Sequence, residues 1–217
     1  MSTIVENRGN PDSARRLNRA EKSEATRNRL FTAAIGIVGE FGYAGTSVAR
    51  ITDRAGVAQG TFYNYFESRQ DLLDQLLPSI SVTLLAHVKE KVAEAEDSPV
   101  ARERARIIAF FEFLEQTPHL FKILHEGEIQ APEGFRRHIA LQTVSFERAM
   151  EHEFDQGHLP DIAREEIPAI SQILLGARQW LSTRFCVRDG EIIQPPPEVI
   201  DTYMNLTIRG IFSGRPA

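Results

Sequence analysis

Apolar residues recur at intervals of three and four along most of this chain of 217 residues, and this spacing constrains the fold more than any other feature. In residues 24–41, for example, one face of a helix would carry the apolar residues Leu30, Ala34, Ile37, Val38 and Phe41. No segment of more than a few residues shows the period of two that predicts a half-buried strand. The spacing therefore predicts an all-α protein.

The composition excludes several classes of protein. Apolar residues make up 42% of the chain and charged residues 25%, which excludes disorder throughout. The single cysteine, Cys186, excludes a disulfide scaffold and a cysteine-based zinc site. The apolar runs are too short to span a membrane, and the first residues lack the apolar core of a secretory signal. We therefore expect a cytoplasmic protein with no membrane partner.

The charge of the chain is divided unevenly along its length. Residues 1–69 contain 10 Lys and Arg and 7 Asp and Glu, whereas residues 70–217 contain 15 and 23. The net charges of the two parts are +3 and −8, which together give the −5 of the whole chain. This asymmetry indicates an anionic partner for the N-terminal part and another role for the remainder.

Two short predicted helices, residues 47–55 and 59–66, are separated by Gly56. A hydroxyl residue, Thr46 or Ser47, can cap the first of them. The buried side of the second helix is predicted to consist of Phe62 and Phe66, which are four positions apart. This arrangement is typical of a helix-turn-helix.

The outward side of the second helix carries residue types that suit duplex DNA. Its members are Gln59, Gly60, Thr61, Tyr63 and Asn64. Amide side chains bond base edges, hydroxyl groups reach bases or phosphates, and glycine permits close approach of the backbone. The flanking cations that can neutralise phosphates are Arg50, Arg54 and Arg69. By pattern alone, an ordinary helical hairpin with a solvated polar face fits equally well.

A longer set of residues extends this pattern. It comprises the runs 42–48, 55–57 and 68–73, together with Gly-Thr-Phe-Tyr-Asn-Tyr-Phe at 60–66. In these positions the chain resembles the N-terminal domain of the TetR-type (TetR/AcrR) transcriptional regulators, over roughly residues 25–75. Arg69 stands where that family most often has lysine, a change that keeps the charge but alters the contact geometry.

The resemblance implies a homodimeric repressor, and no enzyme, that places Gln59–Tyr65 in the major groove of each half of a palindromic operator. Carried over by position, the implied base readers are Gln59, Thr61 and Asn64, with Gly60 allowing close approach. The implied phosphate anchors are Thr46, Ser47, Tyr63, Tyr65 and Arg69, with Arg50 in either role.

The chain is expected to divide into three parts. Residues 1–23 form a flexible basic arm, which either contacts DNA or acts as a solubilising tail. Residues 24–69 form the DNA-binding domain, and residues 70–217 form an effector-binding and dimerisation domain. The resemblance implies that an effector bound in the third part releases the DNA. The helix that starts at Asp71 is expected to transmit the effect of binding to the DNA-binding domain. Pro78 is expected to kink or break this helix.

The C-terminal part concentrates aromatic residues. Seven of the 13 phenylalanines lie in residues 110–154, and five of the six histidines lie in residues 119–158. Such a cluster fits a cavity for a hydrophobic or amphipathic effector, or equally a plain core. The predicted lining residues are Phe110, Phe113, Leu114, Phe121, His125, Phe146, Met150, Arg178 and Trp180. No histidine pair has the spacing of a helical metal site, and no nucleotide or nucleophile motif occurs, so we expect no cofactor, metal site or catalytic residue.

The last two predicted helices each carry an apolar stripe. The first consists of Ile170, Ile173, Leu174, Ala177 and Leu181, and the second of Ile200, Tyr203, Met204, Ile208 and Phe212. The stripes form the interface of a homodimer or pack within one subunit. A rival function is an all-α intracellular small-molecule-binding protein or enzyme whose helix-turn-helix is structural only.

Overall fold

A computed structural model describes the backbone of residues 11–188 and 190–212, and it is almost entirely helical. In these residues the helices are α1 (Pro11–Phe41), α2 (Val48–Ala55), α3 (Gln59–Phe62), α4 (Arg69–Ala93), α5 (Pro99–Gln116), α6 (His119–Gln130), α7 (Pro132–Asp155), α8 (Ile167–Phe185) and α9 (Pro197–Thr207). A 3₁₀ turn, Arg164–Glu166, precedes α8, and a π turn, Ile208–Phe212, follows α9. The prediction of an all-α fold is confirmed.

The only strands in the described residues form a small hairpin between α8 and α9. Its strands are β1 (Val187–Arg188) and β2 (Glu191–Ile192), which pair antiparallel. None of the helices described is long and apolar enough to cross a membrane.

Helix α1 begins earlier than the sequence predicted. It starts at Pro11, where a proline is tolerated because the first turn needs no N–H donor. Residues 11–23, predicted to be a flexible arm, are helical, and residues 12–23 contain no glycine or proline that would interrupt the helix. Residues 1–10 of the predicted arm lie outside the described residues.

The turn between α2 and α3 is fixed by local chemistry. Ser47 is the N-cap of α2, and its hydroxyl accepts a hydrogen bond from the N–H of Arg50 at 3.2 Å. Gly56 ends α2 with φ +64°, a left-handed conformation that favours glycine. Arg29 of α1 donates to the carbonyls of Ala55 and Gly56 and so satisfies the end of α2.

The N-terminal core forms on the predicted face of α1, with one exception. Leu30, Ala34, Ile37 and Val38 are buried, but Phe41 is 51% exposed. The exposed ring lies at the last residue of α1, where the guanidinium of Arg50 packs over it at 5.0 Å. At the end of this helix, the ring of Phe41 is therefore covered by a cation–π contact with Arg50 and is not buried in the core.

The predicted second helix of the motif is shorter than expected. Helix α3 ends at Phe62, and turns continue the chain through residues 63–65. Phe62 and Phe66 are nonetheless both buried, with their ring centroids 5.3 Å apart. The prediction that this pair faces the core is therefore confirmed.

The C-terminal part is built around α4, which packs against α5, α6 and α7. Pro78 lies inside α4, and the helix continues past it to Ala93, so the proline does not break the helix. A Cβ at Gly134 of α7 would lie 2.4 Å from the carbonyl oxygen of Asp74, so only glycine allows this approach of α7 to α4.

Helix α6 connects the two parts of the molecule. It packs against both α1 and α7. The backbone N–H of Tyr43 donates to the Glu126 carboxylate at 2.9 Å, and the Tyr43 hydroxyl lies 3.3 Å from the carbonyl oxygen of Ile123. The turn that follows α1 is thereby fixed to α6.

Candidate DNA-binding surface and ligand cavity

The segment from Gln59 to Tyr65 presents most of its polar side chains to solvent. Gln59, Gly60, Tyr63 and Asn64 are exposed, whereas Thr61 and Tyr65 are half-buried. Tyr63 is 57% exposed, and a Cβ added at Gly60 would meet nothing within 4 Å. Of the residues implied as base readers, Gln59 and Asn64 are thus open to solvent and Thr61 is partly covered.

Thr46 does not lie on this surface. Its side chain is buried, and its hydroxyl donates to the carbonyl of Gly42 at 2.8 Å, where it closes the end of α1. The role of phosphate anchor that the resemblance implies for Thr46 does not fit this orientation. Ser47 is half-buried, and because its oxygen accepts from Arg50 N–H, its own hydroxyl proton remains available for a phosphate.

The three nearby arginines differ in how far their charge is neutralised. Arg54 forms a double hydrogen bond with the carboxylate of Glu40, with both distances 2.7 Å. Arg50 donates to the carbonyl of Gly45 at 2.7 Å, and Arg69 donates to the carbonyl of Thr46 at 2.6 Å and to that of Tyr43. A carbonyl partner carries no net charge, so the charges of Arg50 and Arg69 are not balanced by these contacts, whereas the charge of Arg54 is balanced by Glu40.

A cavity of about 500 Å³ lies within the C-terminal part, enclosed by α4, α5, α6, α7 and α8. This volume falls in the range of small-molecule sites, about 300–1,000 Å³. Of the nine residues predicted to line a pocket, those that line this cavity are Phe110, Leu114, His125, Phe146, Arg178 and Trp180. Six of the nine residues predicted from the sequence therefore border this cavity, and a role for them in ligand binding stays a prediction.

Three predicted lining residues lie elsewhere. Phe113 is buried beside the ring of His87, with the centroids 6.0 Å apart, and Met150 is buried in the core. Phe121 borders a separate depression between α6 and the β1–β2 hairpin, although its ring stacks on that of His125 at 4.3 Å. Helical spacing places all three on apolar faces, but it does not distinguish a face that meets the core from one that meets a cavity.

His138 lines the cavity and was missed by the sequence analysis. The hydroxyl of Ser81 on α4 donates to the carbonyl of Leu77 at 2.9 Å, and its oxygen lies 2.6 Å from Nδ1 of His138. Burial lowers the pKa of His138 to about 4, although a hydrogen bond to the Leu77 backbone acts in the opposite direction. His138 is therefore a neutral imidazole near pH 7, and its isolated position in α7 gave no pattern to detect.

A network of buried charges borders the cavity. Glu153 accepts two hydrogen bonds from Arg102, both at 2.7 Å, and lies 2.9 Å from Nδ1 of His158. Burial opposes ionisation of Glu153, but these hydrogen bonds and the charges of Arg102 and Arg106 lower its pKa to about 2. Glu153 is thus a stably ionised carboxylate with no exposure to solvent.

A second buried carboxylate, Glu103, holds Arg178. Arg178 donates to Glu103, and the hydroxyl of Tyr203 donates to the same carboxylate at 2.6 Å. Burial disfavours the charged guanidinium, but the Glu103 carboxylate raises the pKa of Arg178 above its ordinary value. The guanidinium also packs over the ring of Phe146 at 4.5 Å, which fixes Arg178 at the wall of the cavity.

Part of the stripe on α8 and the end of α9 face solvent. Ile173 is 67% exposed, Trp180 76% and Leu206 72%. Of these three, only Ile173 belongs to a predicted stripe. The stripe members Leu174, Tyr203 and Met204 are buried within the subunit, and the side chain of Phe212 lies outside the described residues. Packing within the subunit thus accounts for part of both stripes, and the dimer interface stays a prediction.

The described residues were predicted to hold no metal site, and their cysteine is buried. Within the part of the chain that the structure describes, no group of three or more histidine, cysteine or acidic side chains is gathered as a metal site. Burial raises the pKa of the Cys186 thiol to about 11, which disfavours the reactive thiolate.

Comparison with known proteins bears on both parts of the chain. Residues 30–76 match the family described as bacterial regulatory proteins, tetR family. The transcriptional activator FasR of Mycolicibacterium smegmatis is 29% identical over 131 residues, 59% of each chain. The transcriptional repressor KstR2 of Mycobacterium tuberculosis is 27% identical over 111 residues, 51% of this chain and 54% of that protein. The chain thus spans between half and three fifths of the length of these relatives.

Solved structures resemble nearly the whole fold. The transcriptional regulator FadR of Bacillus subtilis, solved in complex with stearoyl-CoA, superposes with a TM-score of 0.71 at 18% identity, over 85% of this chain and 99% of that one. A TetR-family regulator from Rhodococcus sp. superposes with a TM-score of 0.71 at 18% identity, over 87% of this chain and 98% of that one. At such identities the likeness shows the shared fold, while the relatives found by sequence are regulators of transcription and not enzymes.

Proposed function

We propose, from the premise that this chain belongs to the TetR family of bacterial regulatory proteins, that it is a transcriptional repressor released from its operator by a small amphipathic effector. The observation that carries the proposal is the exposed segment from Gln59 to Tyr65, which follows a capped α2 and a left-handed Gly56. We propose repression because occupancy of the operator is sufficient for it. We place this activity in the cytoplasm.

The proposed division of labour follows the parts of the chain. Residues 24–69 bind DNA, and residues 70–217 bind the effector and form the dimer. Since α4 begins at Arg69, this boundary coincides with the start of a helix that runs on to the cavity. The neutralised Arg54 and the buried Thr46 are left out of the proposed contacts.

DNA binding can be tested by substitutions on the exposed segment. We expect Tyr63→Ala to weaken binding to operator and random DNA alike, because a lost phosphate contact carries no sequence information. Asn64→Ala and Gln59→Ala should instead relax sequence preference, by about 1–3 kcal/mol per lost base contact. The measurement is fluorescence anisotropy with DNA from upstream of the gene and with a scrambled duplex, over a range of salt concentrations.

The variant Tyr63→Phe is the matched control for this measurement. It removes the hydroxyl and keeps the ring that packs edge-on to Phe62. Equal losses in Tyr63→Phe and Tyr63→Ala assign the contact to the hydroxyl. Unchanged operator binding by Tyr63→Ala would refute the proposed placement of this surface on DNA.

A dimer is proposed because an operator with two half-sites about 34–36 Å apart requires two copies of the reading segment. The exposed apolar side chains of Ile173, Trp180 and Leu206 are the proposed contact surface. The helices α8 and α9 of two subunits would then form a four-helix interface.

We expect light scattering after size exclusion to give twice the 24.4 kDa of the chain. Ile173→Glu should shift the mass to that of a monomer, because it buries a charge at the proposed interface. Val82→Glu is the control, since Val82 is also apolar and 62% exposed but belongs to α4 and not to the proposed interface helices. A wild-type monomer at micromolar concentration, or dissociation by both variants alike, contradicts the proposed interface.

Effector binding is proposed to reach the DNA-binding part through Tyr43. Helix α4 lines the cavity with Leu84 and reaches the Tyr43 carbonyl through Arg69. Helix α6 lines the cavity with Leu124 and holds the Tyr43 N–H through Glu126. Couplings of this kind are typically about 1–3 kcal/mol, so we expect partial release of the operator.

The composition of the cavity supports an amphipathic effector. Leucine and phenylalanine side chains form much of the wall, and its polar side chains include arginine, histidine, glutamine, threonine and one glutamate. The structurally similar FadR was solved with stearoyl-CoA, which is itself amphipathic.

A further inference from the structure

We propose that the polar end of the effector is an anion, of which a carboxylate is the simplest case, and that Arg106 is the residue that binds it. This inference rests on the proposed function of the cavity and adds the chemical class of its ligand. It follows from how the buried charges beside the cavity are paired.

Two of the three arginines in the described buried network have a carboxylate of their own. Arg102 makes two hydrogen bonds to Glu153, both at 2.7 Å. Arg178 is bound by Glu103, which also accepts from Tyr203. Each of these carboxylates thus already has a close cationic partner.

Arg106 has only the longer contacts. Its nearest carboxylate oxygens are those of Glu103 at 3.3 Å and Glu153 at 3.7 Å. The fully exposed carboxylate of Asp97 pairs with Arg102 at 2.8 Å, so it serves a different guanidinium. Arg106 is 7% exposed and shares both buried carboxylates with a closer arginine. A buried cation in this position is stabilised by any anion that enters from the cavity.

The position of Arg106 suits a ligand with an apolar tail. Arg106 and Phe110 both line the cavity and are four residues apart on α5, so they share one helix face. Apolar side chains continue the wall from there, namely Leu84, Val88, Leu114 and Leu124. An anionic group at Arg106 would therefore lie beside the hydrocarbon-lined part of the cavity.

Other polar groups of the wall favour the same orientation. Gln142 lines the cavity, and its buried amide nitrogen has no hydrogen-bond partner among the described residues. A buried donor without a partner favours a ligand whose oxygen atoms can accept a hydrogen bond from it. The acidic side chain of the wall, Glu128, is exposed on α6, which disfavours an anion at that end. The ligand class is therefore an amphipathic acid.

The test uses three probes with the same chain, decanoate, decanol and methyl decanoate, and the full-length protein without DNA. Binding is followed by calorimetry and by the fluorescence of Trp180, which is the single tryptophan of the sequence and lines the cavity. We expect decanoate to bind about 10- to 100-fold more tightly than the two neutral probes, the usual worth of a charged hydrogen bond.

Arg106→Met should remove this preference, so that the three probes bind with similar affinity. The variant should fold, because Glu103 and Glu153 keep Arg178 and Arg102. Arg106→Lys keeps the charge and should keep part of the preference, which covers the case in which the methionine variant fails to fold. Arg104→Met is the matched control on the same helix, since Arg104 is exposed and pairs with Asp201.

The proposal is overturned if wild type binds decanol as tightly as decanoate, or if Arg106→Met still prefers the acid. Absence of binding by all three probes also overturns it, because the ligand class is then wrong. These outcomes are separate from failure of the proposed function. That failure would appear as absence of operator binding, or as decanoate that binds the cavity without weakening the complex with operator DNA.

Discussion

Glu153→Gln is expected to lower the free energy of unfolding by about 3–5 kcal/mol, the usual cost of removing one partner from a buried ion pair. Glutamine has nearly the same shape as glutamate, so the loss reflects charge and not packing. The change removes the buried carboxylate that Arg102 and His158 contact directly. Urea denaturation followed by circular dichroism measures the difference.

The same residue should make the protein sensitive to acid. The folded state holds the pKa of Glu153 at about 2, against an ordinary value of 4.5. A lowered pKa contributes stability that is complete above the ordinary value and is lost as the pH falls toward the folded value. We therefore expect the stability of wild type to fall between about pH 5 and pH 2, and that of Glu153→Gln to fall less in this range.

His138 must be separated from this effect. Its pKa is also lowered, to about 4, so protonation of this buried imidazole removes stability between about pH 6.5 and pH 4. The effect of Glu153 is therefore measured by the difference in the free energy of unfolding between wild type and Glu153→Gln below pH 4. Glu151→Gln, at an exposed position of the same helix, is the control. If Glu151→Gln and Glu153→Gln give equal curves, Glu153 has no special role in stability.

Phe62→Ala is expected to have an effect of similar size, about 3–5 kcal/mol, because it removes a large side chain from a packed core. Phe62 has no exposed surface, and its ring contacts that of Phe66 at 5.3 Å. The variant should lose operator binding because the N-terminal part no longer folds at the assay temperature. Thermal and urea denaturation measure this loss directly.

The adjacent Tyr63→Ala is the matched comparison. Tyr63 is 57% exposed, so its removal should change stability by less than about 0.5 kcal/mol while DNA binding falls. One of two neighbouring aromatic residues thus serves the fold and the other the proposed contact with DNA. Similar losses of stability in both variants would show that Tyr63 also supports the fold, and its DNA affinity would then need to be measured at lower temperature.

The helix-turn-helix could be predicted from the sequence because its determinants are local. The cap, the turn at Gly56 and the pair Phe62 and Phe66 each act within a few residues. The structure has Ser47, one of the two predicted residues, as the cap, a turn at Gly56, and both phenylalanines buried. The start of α1 at Pro11 was missed because a polar, charged segment without glycine reads as an arm and as a helix equally well.

The cavity could be predicted only in part, because it depends on contacts between distant residues. Phe113 and Phe146 have the same apolar character in sequence, yet one packs in the core and the other lines the cavity. The pairing of Glu103 with Arg178 joins residues 75 positions apart, and no helical spacing signals it. The one available hint was the presence of Glu103 and Arg106 on the buried side of an amphipathic helix.

The attachment of Tyr43 to two helices has a consequence for how an effector is read. Its N–H is hydrogen-bonded to α6 and its carbonyl to α4. A movement of either helix therefore acts on one of the two peptide groups that flank the same α-carbon. Under the proposed coupling, the DNA-binding part responds to the combined displacement and does not register which helix moved. Ligands of different length that press on different walls of the cavity would then be equivalent signals.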